Sequence, residues 1–225
     1  MIKRLSILGV LILLLGCSPS AQLSKQRFAG TVEITEYVLG PKVPGRVASI
    51  NIQEGDKVTQ GQVLATFDRY EQAKKDLTRA KALSEVGGVS PQVLENAQLA
   101  LDDQQILSPV NGVVLVKAAQ TGEVLAAGAG ALVIGDMQDQ WIKVFVTEGF
   151  VNQLSLNQKA VIYFDGVKQQ YQGHVTFIAT KAEFTPRNVQ TPEERVTQAF
   201  GVKVKFDDPN LTIRPGTSAD VQFYE

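Results

Sequence analysis

Three glycines, Gly45, Gly55 and Gly61, recur in identical spacing as Gly112, Gly122 and Gly128. Their surroundings recur too. Pro44-Gly45-Arg46-Val47-Ala48-Ser49-Ile50 continues through Glu54-Gly55-Asp56-Lys57-Val58 to Gly61-Gln62-Val63-Leu64. Asn111-Gly112-Val113-Val114-Leu115-Val116 continues through Gln120-Thr121-Gly122-Glu123-Val124-Leu125 to Gly128-Ala129-Gly130-Ala131-Leu132. Both read as short β segments broken where glycine supplies the positive φ of tight turns. A set of short strands written twice constrains the chain to two halves of one module. Whatever lies between the halves leaves from their seam. Such an arrangement speaks for a scaffold rather than an active site.

The intervening stretch is helical in character. Asp68 to Val86 has no Gly or Pro and is rich in good helix formers. Gly87-Gly88 ends this helix, and Ser90-Pro91 begins another, with Ser at the N-cap and Pro at the first helical position. Ala73, Leu77, Ala80 and Ser84 step by four, three and four; Leu94, Ala97, Leu101 and Gln104 step by three, four and three. Both seams have the a/d spacing of paired helices. The expected element is a hairpin of two helices of similar length, each about 25 Å long.

Elsewhere the pattern is β. Gly30 to Val38 alternates, and strands are expected over Trp141–Val146, Ala160–Phe164, Tyr171–Ile178, Gln198–Phe206 and Ala219–Phe223. Turn signals separate them at Asp165-Gly166, Asp207-Asp208-Pro209-Asn210 and Arg214-Pro215-Gly216. Many short strands with regular turns suggest a small barrel or sandwich. Phe150 to Leu156 is expected as a short helix, and Phe184 to Glu194 as a long polar loop. A net charge of -1 gives no support for nucleic-acid binding.

At the N-terminus, Lys3 and Arg4 precede an apolar run from Leu5 to Leu15. A membrane span needs roughly 20 apolar residues, so this run reads as an export signal. It ends in Leu14-Leu15-Gly16-Cys17, and Cys17 is the sole cysteine. The ending resembles the bacterial lipobox, in which the cysteine becomes an acylated N-terminus. The alternative is a simple cleaved signal with a small buried Cys. Ser18 to Arg27 is polar and reads as a flexible tether. Ser18 after the cysteine favours the outer membrane by the usual sorting rule.

The module's phrases resemble a known family. Val43-Pro44-Gly45-Arg46-Val47, the stretch Glu54 to Leu64, and Ser108-Pro109-Val110-Asn111-Gly112-Val113-Val114 are similar to the split biotinyl/lipoyl-like domain of HlyD-type periplasmic adaptors, the membrane fusion proteins. Phe184 to Val196 resembles a loop of adaptors that serve ABC-type exporters, and Leu211 to Ala219 resembles the family's closing strand. The resemblance implies a mainly β fold with a split biotinyl/lipoyl-like domain, a short antiparallel coiled-coil hairpin and a small β-barrel domain. The implied division is a lipoprotein signal (1–17), tether and first strand (18–40), lipoyl-like first half (41–68), α-helical hairpin (69–106), lipoyl-like second half (107–136) and β-barrel (137–225). The family joins an inner-membrane ABC-type or other transporter to a TolC-like outer-membrane factor and assembles into a ring, a hexamer being expected here. It works from the inner membrane, which places this chain in the periplasm of a Gram-negative bacterium on a lipid anchor.

Members dock through an Arg, a Leu four residues on and a Ser seven beyond, at the hairpin tip. Arg79, Leu83 and Ser90 stand at that spacing. Each also has a plainer role: Arg79 on a solvated face, Leu83 in the helix seam, Ser90 as a cap. Gln120 lies in a β turn that the resemblance turns toward the ring's channel; an ordinary exposed turn residue is the alternative. The hairpin is shorter than in most relatives. The sequence ends after the barrel, so the membrane-proximal domain of many relatives is expected to be absent or minimal.

No cofactor is expected. Carriers of this fold hold lipoate or biotin on a Lys at the turn joining the halves, where this chain has its hairpin; Lys74, Lys75 and Lys81 fall on helices. There is no Walker A loop, no metal-ligand spacing and no nucleophile–base set, so no enzymatic role is expected. His174, the sole histidine, reads as a structural strand residue. The alternative to the adaptor is a lipid-anchored ligand-binding or envelope scaffold protein without a duct partner.

Overall fold

A computed structural model describes residues 24–184, 198–208 and 211–224. Cys17, the export signal and most of the loop after Phe184 lie outside them.

The first half of the repeat comprises the end of β1 (Phe28–Leu39), β2 (Gly45–Ile50), β3 (Lys57–Val58) and β4 (Val63–Phe67). Then come helices α1 (Tyr70–Glu85) and α2 (Pro91–Asp102). The second half comprises β5 (Gln105–Leu107), β6 (Gly112–Lys117), β7 (Val124–Leu125) and the start of β8 (Leu132–Thr147).

The halves exchange strands. β7 of the second half pairs with β2 of the first (Arg46↔Val124), and β3 of the first pairs with β6 of the second (Lys57↔Val113). One face of the sandwich is therefore β5-β4-β2-β7, and the other is the end of β1 with β8, β6 and β3. The exchange obeys an internal two-fold in which each residue of the first half has its counterpart 67 positions on, as Gly45 has Gly112. Gly55 donates its N–H to the Val114 carbonyl at 2.8 Å, and its counterpart Gly122 donates to Val47 at 2.8 Å. Gly55 and Gly122 have φ of +90° and +91°, and Gly61 and Gly128 have +79° and +77°. Core positions repeat as well: Val47 with Val114, Leu64 with Ala131 and Phe67 with Ile134 are all buried in one cluster. Gly45 and Gly112 recur for a different reason. A Cβ on Gly45 would press on the Phe67 ring at 3.2 Å, and one on Gly112 would lie 2.4 Å from the Gly135 carbonyl oxygen.

β1 and β8 continue out of the sandwich as a two-stranded ribbon into a barrel with its own core. β8 runs as one strand through the boundary expected after residue 136, with a shift in its pairing to β1 there. The barrel adds α3 (Glu148–Val151), β9 (Lys159–Phe164), β10 (Gln170–Ile178), β11 (Glu183–Phe184), β12 (Gln198–Phe206) and β13 (Ser218–Phe223). The order β12-β10-β9-β13-β1-β8 closes through pairing of β8 with β12. Closure leaves these six strands without an open edge. The helix expected over Phe150–Leu156 is the single turn α3, which runs on only into tight turns, Gln153 N–H to the Phe150 carbonyl at 3.0 Å and Leu154 N–H to the Val151 carbonyl at 3.1 Å.

The hairpin packs on itself. Leu77 and Ala80 are buried, yet neither belongs to the sandwich core or the barrel core. Ala73, Ser84, Leu94, Ala97 and Leu101 are half-buried along the predicted seam. α1 has 16 residues and α2 only 12, so the helices are not of similar length. The chain must leave α2 early because Gln105 pairs with Thr66 and the Gln104 carbonyl accepts the Phe67 N–H at 3.0 Å.

Candidate docking site at the hairpin tip

The tip is built by a helix-terminating motif. Gly87, at φ +71°, donates to the Ser84 carbonyl at 3.1 Å, and Gly88 donates to the Leu83 carbonyl at 2.7 Å. These two bonds satisfy the last carbonyls of α1 and reverse the chain sharply. Leu83 thus sits one turn before the reversal, 42 % exposed, with Val86 79 % exposed beyond it. Val93, in the first turn of α2, is exposed as well. Three large apolar side chains are therefore left in solvent around one turn of chain. Of the three, the docking spacing marks only Leu83; in the sequence Val86 and Val93 are set apart only by standing off the seam.

Arg79 lies one turn below Leu83. Its guanidinium pairs with Asp76 on the same helix at 3.1 Å, with 70 % of the side chain exposed. Exposed pairs of this kind hold the side chain weakly, so the planar donor fork remains open to a carbonyl or carboxylate. Ser90 occupies the N-cap of α2 with Pro91 in the first turn, and its carbonyl accepts the Val93 N–H at 3.0 Å. The hydroxyl makes no capping bond. The capping role expected of its side chain is absent, because the backbone carbonyl and Pro91 alone start the helix, and the hydroxyl is exposed. The fold brings Arg79, Leu83 and Ser90 to one end of the hairpin.

Gln120 does not join them. It lies in the turn before β7, where its N–H donates to the Glu123 carboxylate at 3.0 Å and Arg46 clamps the same turn through the Gly122 carbonyl at 2.8 Å. Its counterpart Gln53 makes the same bond to Asp56 at 2.7 Å, so the turn's construction follows from the repeat. Lys74, Lys75 and Lys81 all lie on α1. His174 stands in β10 with Nδ1 beside the Asp207 carboxylate. Among the described residues, no group of three or more His, Cys, Asp or Glu side chains converges as a metal site, and no helix is long and apolar enough to cross a membrane.

Residues 35–136 match the family model described as a CzcB-like barrel-sandwich hybrid domain. The UPF0194 membrane protein of Enterobacter sp. (strain 638) is 27% identical over 188 residues, covering 79% of this chain and 56% of that protein. The UPF0194 membrane protein YbhG of Salmonella gallinarum is 29% identical over 126 residues, 56% of this chain and 38% of that one. The chain thus spans about half the length, or less, of these relatives. Among solved structures, a MacA-MexA chimera containing the Pseudomonas aeruginosa MexA α-hairpin superposes with TM-score 0.61 at 18% identity, covering 91% of this chain and 81% of that one. ZneB of Cupriavidus metallidurans gives 0.54 at 20%, with 89% and 98% covered. The membrane fusion protein Spr0693 of Streptococcus pneumoniae R6 gives 0.57 at 18%, with 88% and 98% covered. At these identities the structures establish a shared fold.

Proposed function

We propose, from the match of residues 35–136 to a CzcB-like barrel-sandwich hybrid domain and the fold shared with membrane fusion and periplasmic adaptor proteins, that this chain is the adaptor subunit of a tripartite efflux or ABC-type export system. It links an inner-membrane transporter to a TolC-like outer-membrane channel, is held to the inner membrane by acyl chains on Cys17, and assembles into a hexameric ring. Its work is structural. The observation that carries the reading is an exposed leucine at the end of a helical arm that packs on neither core.

In this reading Leu83 inserts between helices of the channel, Arg79 shifts its fork from Asp76 to a channel carbonyl or carboxylate, and the free Ser90 hydroxyl adds a hydrogen bond. Full burial of a Leu side chain stabilises by roughly 1.5–3 kcal/mol. Leu83 is 42 % exposed, so its further burial contributes about 1 kcal/mol per copy on that scale. One tip binds weakly, and a ring of tips engaged together binds firmly. Gln120 faces the channel of that ring.

The length of the arm favours a second reading, an anchored scaffold without a duct. The 12 residues of α2 span about 18 Å. Affinity purification of the full chain from detergent-solubilised envelopes separates the two. An adaptor brings down a transporter and an outer-membrane channel, and Leu83→Asp loses the channel while keeping the transporter. Recovery of neither, or a channel yield indifferent to Leu83→Asp, rejects the adaptor reading.

A further inference from the structure

The two cores are joined by the β1–β8 ribbon, and that ribbon has a discontinuity. Ile34 pairs with Gln140, but the next residue, Thr35, pairs with Asp136. Residues 137–139 of β8 therefore have no partner in β1. Bulges of this kind bend and twist a strand locally, and this one lies where the strands pass from the barrel core to the sandwich core.

The bulge is tied down on both faces, and Thr35, which pairs with Asp136 on its sandwich side, reaches across it. On the outer face Thr35 Oγ1 donates to Asp139 Oδ2 at 2.6 Å, and Lys205 Nζ of β12 donates to Asp139 Oδ1 at 2.9 Å. On the inner face the buried Gln140 side chain donates to the Ile213 carbonyl at 2.6 Å and accepts the Ile213 N–H at 2.9 Å. On the sandwich side of the bulge the bonds are local: Gln138 donates its N–H to Asp136 Oδ1 at 2.9 Å. The same contacts, the Thr35 hydroxyl foremost, hold the Asp139 carboxyl below the usual carboxylate range.

We propose that residues 136–138 are the pivot between the two cores and that Asp139, bound at once to β1 and to β12, is the clasp that fixes the angle at which the arm-bearing sandwich stands on the barrel. The clasp joins three strands through one carboxylate, so its removal frees rotation about the pivot while leaving both cores intact. Hinges with this design absorb motion in a few backbone torsions. The inference concerns the chain's own two cores and stands whether or not a duct is the partner.

The test is a spin-label distance between the cores in the full chain, with Cys17→Ser removing the native thiol and labels at Thr121→Cys and Lys168→Cys, both exposed. The intact clasp gives one narrow distance distribution. Asp139→Ala at least doubles its width, Lys205→Met and Thr35→Val broaden it less, and Asp139→Asn falls between. Amide protection in β9, β12 and β13 stays unchanged in all four. A distribution in Asp139→Ala that matches the parent overturns the proposal. So does broadening accompanied by loss of barrel protection, which is barrel unfolding rather than hinge release.

Discussion

Leu77→Ala tests whether the hairpin is an arm or a part of the body. Leu77 and Ala80 are the buried residues of α1, and α2 has none. Isolated helices shorter than about 12–15 residues are marginal in water, so this pair depends on its seam, and Leu77 is the seam's largest buried side chain. A buried Leu→Ala change costs about 2–5 kcal/mol. The lower figure applies here, because two isolated helices can close over the gap more readily than a core can. About 2 kcal/mol multiplies the open population of the hairpin roughly 30-fold. Hydrogen exchange read by mass spectrometry should show amides of residues 70–102 accelerating by that factor. Amides of β2, β4 and β6 should keep their rates, and the main thermal transition should move by less than about 2 °C. Leu83→Ala, at the exposed tip, should leave the same amides unchanged. Loss of protection in the sandwich together with the helices, or unchanged exchange in α1, refutes the reasoning.

Three further outcomes follow from particular residues. Gly122→Ala and Gly55→Ala force a Cβ onto φ near +90° and should each cost about 1–2 kcal/mol in denaturant melts, whereas Gly149→Ala, in α3 with open space around it, should be neutral. Ser90→Ala should cost less than about 0.5 kcal/mol, below the usual loss for an N-cap, because no capping bond is broken. The folded Asp139 carboxyl titrates below its unfolded value of about 3.9, so its contribution is present above that pH and disappears as pH falls through the lower folded value; Asp139→Asn should flatten the melting-temperature profile below about pH 4 and leave its shape above pH 5 unchanged.

The sandwich was legible because its symmetry is chemical. Gly55 and Gly122 must be glycine at the same turn, and Val47 and Val114 must be apolar at the same core position, so structure writes itself twice. The hairpin was legible because a run without Gly or Pro ends in Gly87-Gly88, residues that terminate a helix by backbone geometry alone. The bulge was hidden. Residues 135–139 fall at the expected division between the second lipoyl-like half and the barrel, and only the pairing of β1 with both ends of that segment keeps it inside one strand. The Asp139 clasp was hidden for a related reason: Thr35 and Lys205 lie 104 and 66 positions away, and no local pattern links them. The length of α2 is set by a tertiary demand, the pairing of Gln105 with Thr66, which overrides a seam that continues to Gln104. Val86 and Val93 were missed because exposure of an apolar residue is a property of the finished surface.

The claim on which the functional account rests is that the hairpin tip touches a partner in the cell. A photocrosslinking residue at position 83 of the full chain, expressed in its own cells, asks this directly. The account predicts one covalent adduct with an outer-membrane channel protein from position 83, and none from position 95, an exposed site lower on α2. No adduct from position 83, or the same adducts from both positions, would contradict it.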